Sequence, residues 1–218
     1  MNDKELFDRM TESLYAAVIS DTLDELGHRN QVMRENINPI DPNWVLAGRA
    51  KTILSVDVHY IPDQPYAKEI EAVDSVKPED VVIGCTNESK QNGLWGELLS
   101  TASKVRGARG AIVDGLIRDT AKIVELGFPV FATGTKPVDS QGRGIVIDYD
   151  VPVLCGGVRV NPGDVVFGDR DGIVVIPKDL VGEVFERALD KATRENHTRD
   201  ELLAGRTLRQ VYDKYGVL

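Results

Sequence analysis

Asn92 to Thr120 reads NGLWGELLSTASKVRGARGAIVDGLIRDT. Gly93 and Gly96 bracket Leu94 and Trp95, and Glu97, Leu98 and Leu99 then open a helical run. Leu98, Thr101, Ala102 and Val105 recur at helical spacing, which predicts one apolar face. Gly107 and Gly110 stop the run. Ala111, Ile112 and Val113 predict a short strand, broken by the turn pair Asp114-Gly115. Arg118 and Asp119 then stand directly ahead of a second helical run, Thr120 to Leu126, which Gly127 ends.

Two helix starts and one strand end are thus close in sequence, and the chemistry of the stretch follows from that. A helix N-terminus carries unpaired N–H groups and the positive end of a dipole, so the amides of Gly96 to Leu99 suit an anion. Asp119 offers oxygen to a divalent cation, and Arg118 offers a forked contact to a carboxylate or enolate oxygen. Glu97 adds a second carboxylate. The combination suits a small anionic keto acid bound through a metal.

Outward from this stretch, the chain alternates helical and strand patterns. Leu6, Met10, Leu14 and Tyr15 to Ile19 predict amphipathic helices near the N-terminus. A further piece, Ser20 to Leu26, has Ser20 or Asp21 as its cap and Gly27 as its stop. Asn30 to Trp44 reads as a loop. Leu46 to Val58 is rich in β-branched residues and predicts a strand. Tyr66 to Val73 suits a helix, and Val81 to Cys85 a strand. Thr86 to Asn92 is the connection into the central stretch, at the carboxyl end of a strand, where open α/β sheets bind ligands. Pro129 to Ala132 predicts another strand. The loop Thr133 to Gly144 holds Lys136 and Arg143 as surface charges. Short strands then follow to Ile176, with turns at Asn161 to Asp164 and Asp169 to Gly172. Lys178 to Leu203 and Thr207 to Tyr215 predict helices.

Composition excludes several function classes. The net charge is -9 over 218 residues, which argues against a general electrostatic grip on nucleic acid. No glycine pattern matches a P-loop or a dinucleotide fingerprint, so no nucleotide or organic cofactor is expected. MNDKELFDRM lacks an apolar signal region, no apolar run suits a membrane span, and a cytoplasmic location is expected. The two cysteines, Cys85 and Cys155, form no CxxC motif and read as buried free thiols. No lysine stands in the WGELL or DGLIRD motif, which argues against an imine mechanism.

The run GLWGELLSTASKVRGARGAIVDGLIRD resembles the signature of the RraA-like family. The likeness extends from about Leu46 to Pro177, through PVFATGT (Pro129 to Thr135) and GVRVNPGDVVFGDRDGIVVIP (Gly157 to Pro177). That family includes class II 4-hydroxy-4-methyl-2-oxoglutarate aldolases and proteins named as regulators of ribonuclease E activity. The resemblance implies an α/β fold of the swivelling β/β/α type. One domain over residues 1–218 would have a central mixed, barrel-like sheet flanked by helices, with N-terminal helices (about 3–27) and a C-terminal helical extension (about 178–215). It implies a homotrimer, or a hexamer of paired trimers, with the site between subunits.

For activity, the resemblance implies a metal-dependent lyase that cleaves a carbon–carbon bond of a pyruvate-derived acid. This would be a 4-hydroxy-2-oxo acid aldolase, an oxaloacetate decarboxylase, or both, working through a metal-stabilised pyruvate enolate. Asp119 would ligate the metal, Arg118 would bind substrate oxygens, and Glu97 would hold a metal-bound water. The amides of Gly96, Glu97, Leu98 and Leu99 would cradle the pyruvyl carboxylate. Glu195, from a neighbouring subunit, would reach the metal through water. One direct carboxylate ligand suits Mg2+, or Mn2+. Glu97 stands where the aldolases carry aspartate, a feature shared with regulator-like members. The alternative is therefore a non-catalytic protein that binds an RNase E-type ribonuclease. Methyl transfer, a habitual label in this family, has no residues here to hold a methyl donor.

Overall fold

In the computed structural model, which describes residues 1–217, two helices lead the chain: α1 (Asp3–Ser13) and α2 (Ala16–Glu25). Then come β1 (Asn38–Pro39), β2 (Leu46–Asp57), α3 (Ala67–Asp74), β3 (Asp80–Cys85) and β4 (Gly93–Trp95). The central stretch gives α4 (Glu97–Val105), β5 (Gly110–Ile117) and α5 (Thr120–Leu126). After β6 (Val130–Thr135) come five short strands: β7 (Gly144–Tyr149), β8 (Val153–Cys155), β9 (Val158–Val160), β10 (Val165–Asp169) and β11 (Gly172–Ile176). The chain closes with α6 (Val181–Leu203) and α7 (Leu208–Tyr215).

Nine strands form one mixed sheet in the order β1-β6-β5-β3-β2-β10-β11, with β4 beside β5 and β7 beside β2. The pairs β2–β3, β3–β5 and β5–β6 are parallel, and β2–β10 and β10–β11 antiparallel. Side chains alternate across a strand, and this parity sorts the core into three compartments. Val81, Ile83, Ile112, Phe131, Val166, Ile173 and Val175 point into the curl of the sheet, which the β8–β9 ribbon closes with Val153, Cys155, Val158 and Val160. Their neighbours Val82, Ala111, Val113, Val130 and Ala132 point the other way, under α3, α4 and α5. Val165, Phe167, Val174 and Ile176 pack under α1, α2 and α6. The result is a nearly closed, barrel-like mixed sheet flanked by helices. Both cysteines are free and buried, as expected.

Three sequence expectations are corrected. Ser20 and Asp21 cap nothing, because α2 begins at Ala16 and runs through them. Its first N–H is instead capped from a distance: Ala16 N donates to Asp169 Oδ2 at 2.8 Å, while Asp169 Oδ1 accepts from Asp171 N at 2.9 Å in the β10–β11 turn. Asp169→Ala removes both bonds and is expected to cost about 1–2 kcal/mol in urea unfolding. An unchanged midpoint would contradict that role.

Asp114-Gly115 does not break β5, which continues to Ile117. Asp114 is buried and accepts from Thr86 N at 2.5 Å and Thr86 Oγ1 at 2.9 Å, so its carboxyl ties β5 to the end of β3. Thr86 lies so close over Gly115 that a Cβ there would meet Thr86 Oγ1 at 2.4 Å. A side-chain tie thus replaces the turn that the dipeptide suggests.

The apolar face assigned to α4 also proves to be split. Leu99 and Ala102 pack on the core, whereas Leu98 and Val105 are 75% and 81% exposed. Ser100 and Ser103 take the most buried positions. Ser100 can do so because its hydroxyl accepts from Trp95 Nε1 at 2.8 Å and donates to Gly96 O at 2.9 Å.

Candidate functional site

Strand β4 runs parallel to the end of β5, and this pairing builds the site. Arg118 N donates to Trp95 O at 2.9 Å, which holds the residue after β5 against the last residue of β4. Gly96, the N-cap of α4, sits directly over the Arg118–Asp119 pair. A Cβ there would lie 2.7 Å from Asp119 Oδ2 and 3.2 Å from Arg118 Cγ, so any larger residue would push the Asp119 carboxylate from its place. Gly96 itself has an extended backbone that any residue adopts. Its requirement is space.

Asp119 holds the N-cap position of α5 with φ 58°, in the left-handed region, and its side chain makes no capping bond to that helix. Asp and Asn tolerate that region better than other side chains, and such residues gather at functional sites. Its Oδ2 accepts from Glu97 N at 3.3 Å and lies 3.9 Å from Arg118 Nε. Its Oδ1 makes no hydrogen bond among the described residues, and its side chain is 44% exposed. The Leu98 and Leu99 amides lie in the first turn of α4, where N–H groups have no intrahelical acceptor.

Arg118, Asp119, Gly96, Leu98 and Leu99 share one cleft of about 340 Å³. The structure thus brings together five of the residues singled out in the sequence. Glu97 flanks this cleft without lining it, since its Oε1 accepts from Thr101 Oγ1 at 3.0 Å along its own helix. Glu195 lies on α6, which packs against α1, α2 and α7. Its carboxylate accepts from the Tyr15 hydroxyl, so within one chain it does not join Asp119.

The opposite wall of the cleft comes from residues not singled out in the sequence: Tyr66, Glu69, Ile70, Asp139 and Ser140. Asp139 Oδ1 takes Arg118 NH2 at 3.0 Å, and Asp139 Oδ2 takes the Tyr66 hydroxyl at 2.5 Å. Burial pushes the Asp139 carboxyl up, but the Tyr66 hydroxyl and the Arg118 charge outweigh it and hold Asp139 below its ordinary value. The same bond lifts the Tyr66 hydroxyl to about 12. Glu69 is only 8% exposed, on the inner face of α3. Burial first, and Asp139 second, raise its carboxyl to about 7, with Arg118 pulling the other way. The signal for Glu69 was present in the sequence: Glu69, Ala72, Val73 and Val76 follow the spacing of one buried helix face.

The sign of this shift fixes a pH effect. The ordinary value is 4.5 and the folded value about 7, so between them the folded chain binds more protons than the unfolded one. Stability from this group is full below pH 4.5 and is lost as pH rises to about 7. Glu69→Gln is expected to flatten that decline, by up to about 3 kcal/mol across the window, in unfolding midpoints measured at several pH values. Parallel pH curves for the two proteins would contradict the assignment.

Three carboxyl groups here face one guanidinium. Among the described residues no cluster of three or more His, Cys, Asp or Glu side chains forms a metal cage. The donor set is instead one exposed carboxylate with a free oxygen, beside free helix-turn amides. That set fits a magnesium-type cation, which keeps water and uses substrate oxygens as ligands. It does not fit structural zinc.

Residues 16–175 match the profile of the RraA-like family, described as aldolase/RraA. The chain belongs to the RraA-like family. A provisionally named 4-hydroxy-4-methyl-2-oxoglutarate aldolase of Halalkalibacterium halodurans is 31% identical over 190 residues, 85% of each chain. Protein DlpA of Legionella pneumophila is 28% identical over 92% of this chain, which spans 32% of that protein's length. Among solved structures, RraAS2 of Streptomyces coelicolor, an unusual member of the RNase ES inhibitor RraA family, superposes with a TM-score of 0.80. It is 31% identical and covers 91% of this RraA-like chain and 97% of its own. No helix among the described residues of this family member is long and apolar enough to cross a membrane.

Proposed function

We propose that this chain is a divalent-metal-dependent lyase that releases pyruvate from a 4-hydroxy-2-oxo acid, from oxaloacetate, or from both. One observation carries the reading: Arg118, Asp119 and the open first turn of α4 face one cleft, with Gly96 packed between them.

Asp119 is the residue that would hold the cation, through the oxygen left free by Glu97 N. A bound Mg2+ or Mn2+ would supply Lewis acidity, drawing off the charge left on the pyruvyl unit as the carbon–carbon bond breaks. Arg118 is braced by Asp139 and presents its guanidinium to the same oxygens, adding a forked donor where charge develops. The Leu98 and Leu99 amides hold the carboxylate end and set the plane of the keto group. Glu97 positions Asp119 through its backbone. Its carboxyl, on giving up Thr101, reaches the rim of the cleft and orders water for the proton transfer.

Leu98 on the rim of the cleft and Val105 at the far end of the same helix are both exposed, which supports a homotrimer or hexamer in which a neighbouring subunit covers α4. Glu195 would enter from such a neighbour. The test is pyruvate release in a coupled assay with added Mg2+, then chelation. Release that stops with chelator and returns with Mg2+ supports the reading, and chelator-insensitive background rates remove it.

A second reading, a regulator that binds an RNase E-type ribonuclease, is favoured by the likeness to RraAS2. Absence of Mg2+-dependent turnover, together with saturable binding to a purified RNase E-type scaffold, would establish it instead.

A further inference from the structure

The wall of the cleft facing Arg118 and Asp119 has a composition that the lyase reading does not use. Among the described residues no cationic side chain apart from Arg118 lines the cleft, and Arg118 is already paired with Asp139 at 3.0 Å. Opposite stand the Glu69 carboxyl, the Tyr66–Asp139 pair and the apolar side chain of Ile70. Glu69 makes no hydrogen bond or ion pair among the described residues, although it is almost wholly enclosed. An enclosed carboxyl without a partner is destabilising by itself, and a ligand group that bonds to it removes that cost.

We propose that this cleft selects 2-oxo acids whose tail is uncharged and hydroxylated and rejects tails that carry a second carboxylate, with Glu69 as the specificity-determining residue. The inference rests on the lyase reading for the orientation of the ligand, with its 2-oxo acid end at Arg118 and Asp119, and narrows that reading to the hydroxy acids, leaving oxaloacetate a poor substrate. The tail then runs along α3 towards Glu69 and Asp139. A tail hydroxyl can donate to Glu69 or accept from it, whichever form the carboxyl takes. A tail carboxylate would meet Asp139, which the Tyr66 hydroxyl and Arg118 hold ionised, and Glu69 beside it. Asp139 is only partly exposed and Glu69 nearly buried, so like charges here are incompletely screened and the arrangement discriminates by repulsion as well as by fit. A purely apolar tail would leave Glu69 unpaired.

Two pairs of nearly isosteric acids test the inference on the full chain with Mg2+. For cleavage, 4,5-dihydroxy-2-oxopentanoate is compared with 4-hydroxy-2-oxoglutarate by kcat/KM for pyruvate release. For binding, 5-hydroxy-2-oxopentanoate is compared with 2-oxoglutarate by calorimetry; neither has the 4-hydroxyl that cleavage needs. The expected result is a preference of about tenfold or more for the hydroxymethyl acid in both assays, narrowing severalfold in Glu69→Gln that still folds by circular dichroism. A preference for the dicarboxylate, or a preference unmoved by Glu69→Gln, overturns the inference and leaves the lyase reading standing. A binding preference without any pyruvate release supports the inference and removes the lyase reading. Binding of neither acid overturns both.

Discussion

Asp119→Asn is expected to lower kcat/KM for Mg2+-dependent pyruvate release by about 10²–10³-fold while leaving thermal stability nearly unchanged. The stability half of this expectation comes from the backbone. Asp119 sits at φ 58°, where asparagine is accommodated as readily as aspartate, and an amide oxygen still accepts the N–H of Glu97. Asparagine thus keeps the shape and the bond to Glu97 N and removes only the charge. The activity half comes from the donor set. One carboxylate stands free at the mouth of the cleft, and a neutral amide is a far poorer ligand for a hard divalent cation. The assay is pyruvate release titrated with Mg2+. The variant should need far more metal and reach a lower plateau. Wild-type turnover in Asp119→Asn would mean that this carboxylate does no work.

Arg118→Lys is expected to cost about 10²-fold in kcat, with a smaller rise in KM. Arg118 makes two kinds of contact at once: NH2 meets Asp139 at 3.0 Å, and Nε faces Asp119 at 3.9 Å, leaving the rest of the fork turned to the cleft. A lysine ammonium is a point charge and cannot hold Asp139 and a planar substrate group together. It would collapse onto one of the aspartates. A kcat-dominated loss indicates a contact that strengthens as charge develops on the pyruvyl oxygen. A loss confined to KM would place Arg118 in ground-state binding alone.

How much of this was legible in the sequence depended on the range of the interactions involved. Helices α4 and α5 and the start of β5 followed from local periodicity and from the glycines that end each run. The Arg118–Asp119 pair was legible because its neighbours in space are also neighbours in sequence. Asp114-Gly115 misled because the dipeptide is a turn signal only when its side chain bonds locally. Here Asp114 bonds Thr86, 28 residues away. Ser20 and Asp21 misled in the same way, since the cap of α2 comes from Asp169, 153 residues from Ala16. Asp139 lay in a loop whose lysine and arginine drew attention, and only the fold shows its carboxylate bracing Arg118. Glu69 was hidden by its residue type. A glutamate on a helix reads as solvated, and its alignment with Ala72, Val73 and Val76 is the only local sign that it faces inward.

The division between lyase and regulator turns on whether the cleft takes up a cation and a 2-oxo acid together. The most direct measurement is a crystal structure of the protein grown with Mn2+ and oxalate, read at the manganese absorption edge. An anomalous peak is expected within direct ligand distance, about 2 Å, of an Asp119 carboxylate oxygen, with oxalate spanning the cation, the Arg118 guanidinium and the Leu98 and Leu99 amides. Manganese located elsewhere, or oxalate absent from this cleft at saturating concentration, would contradict it.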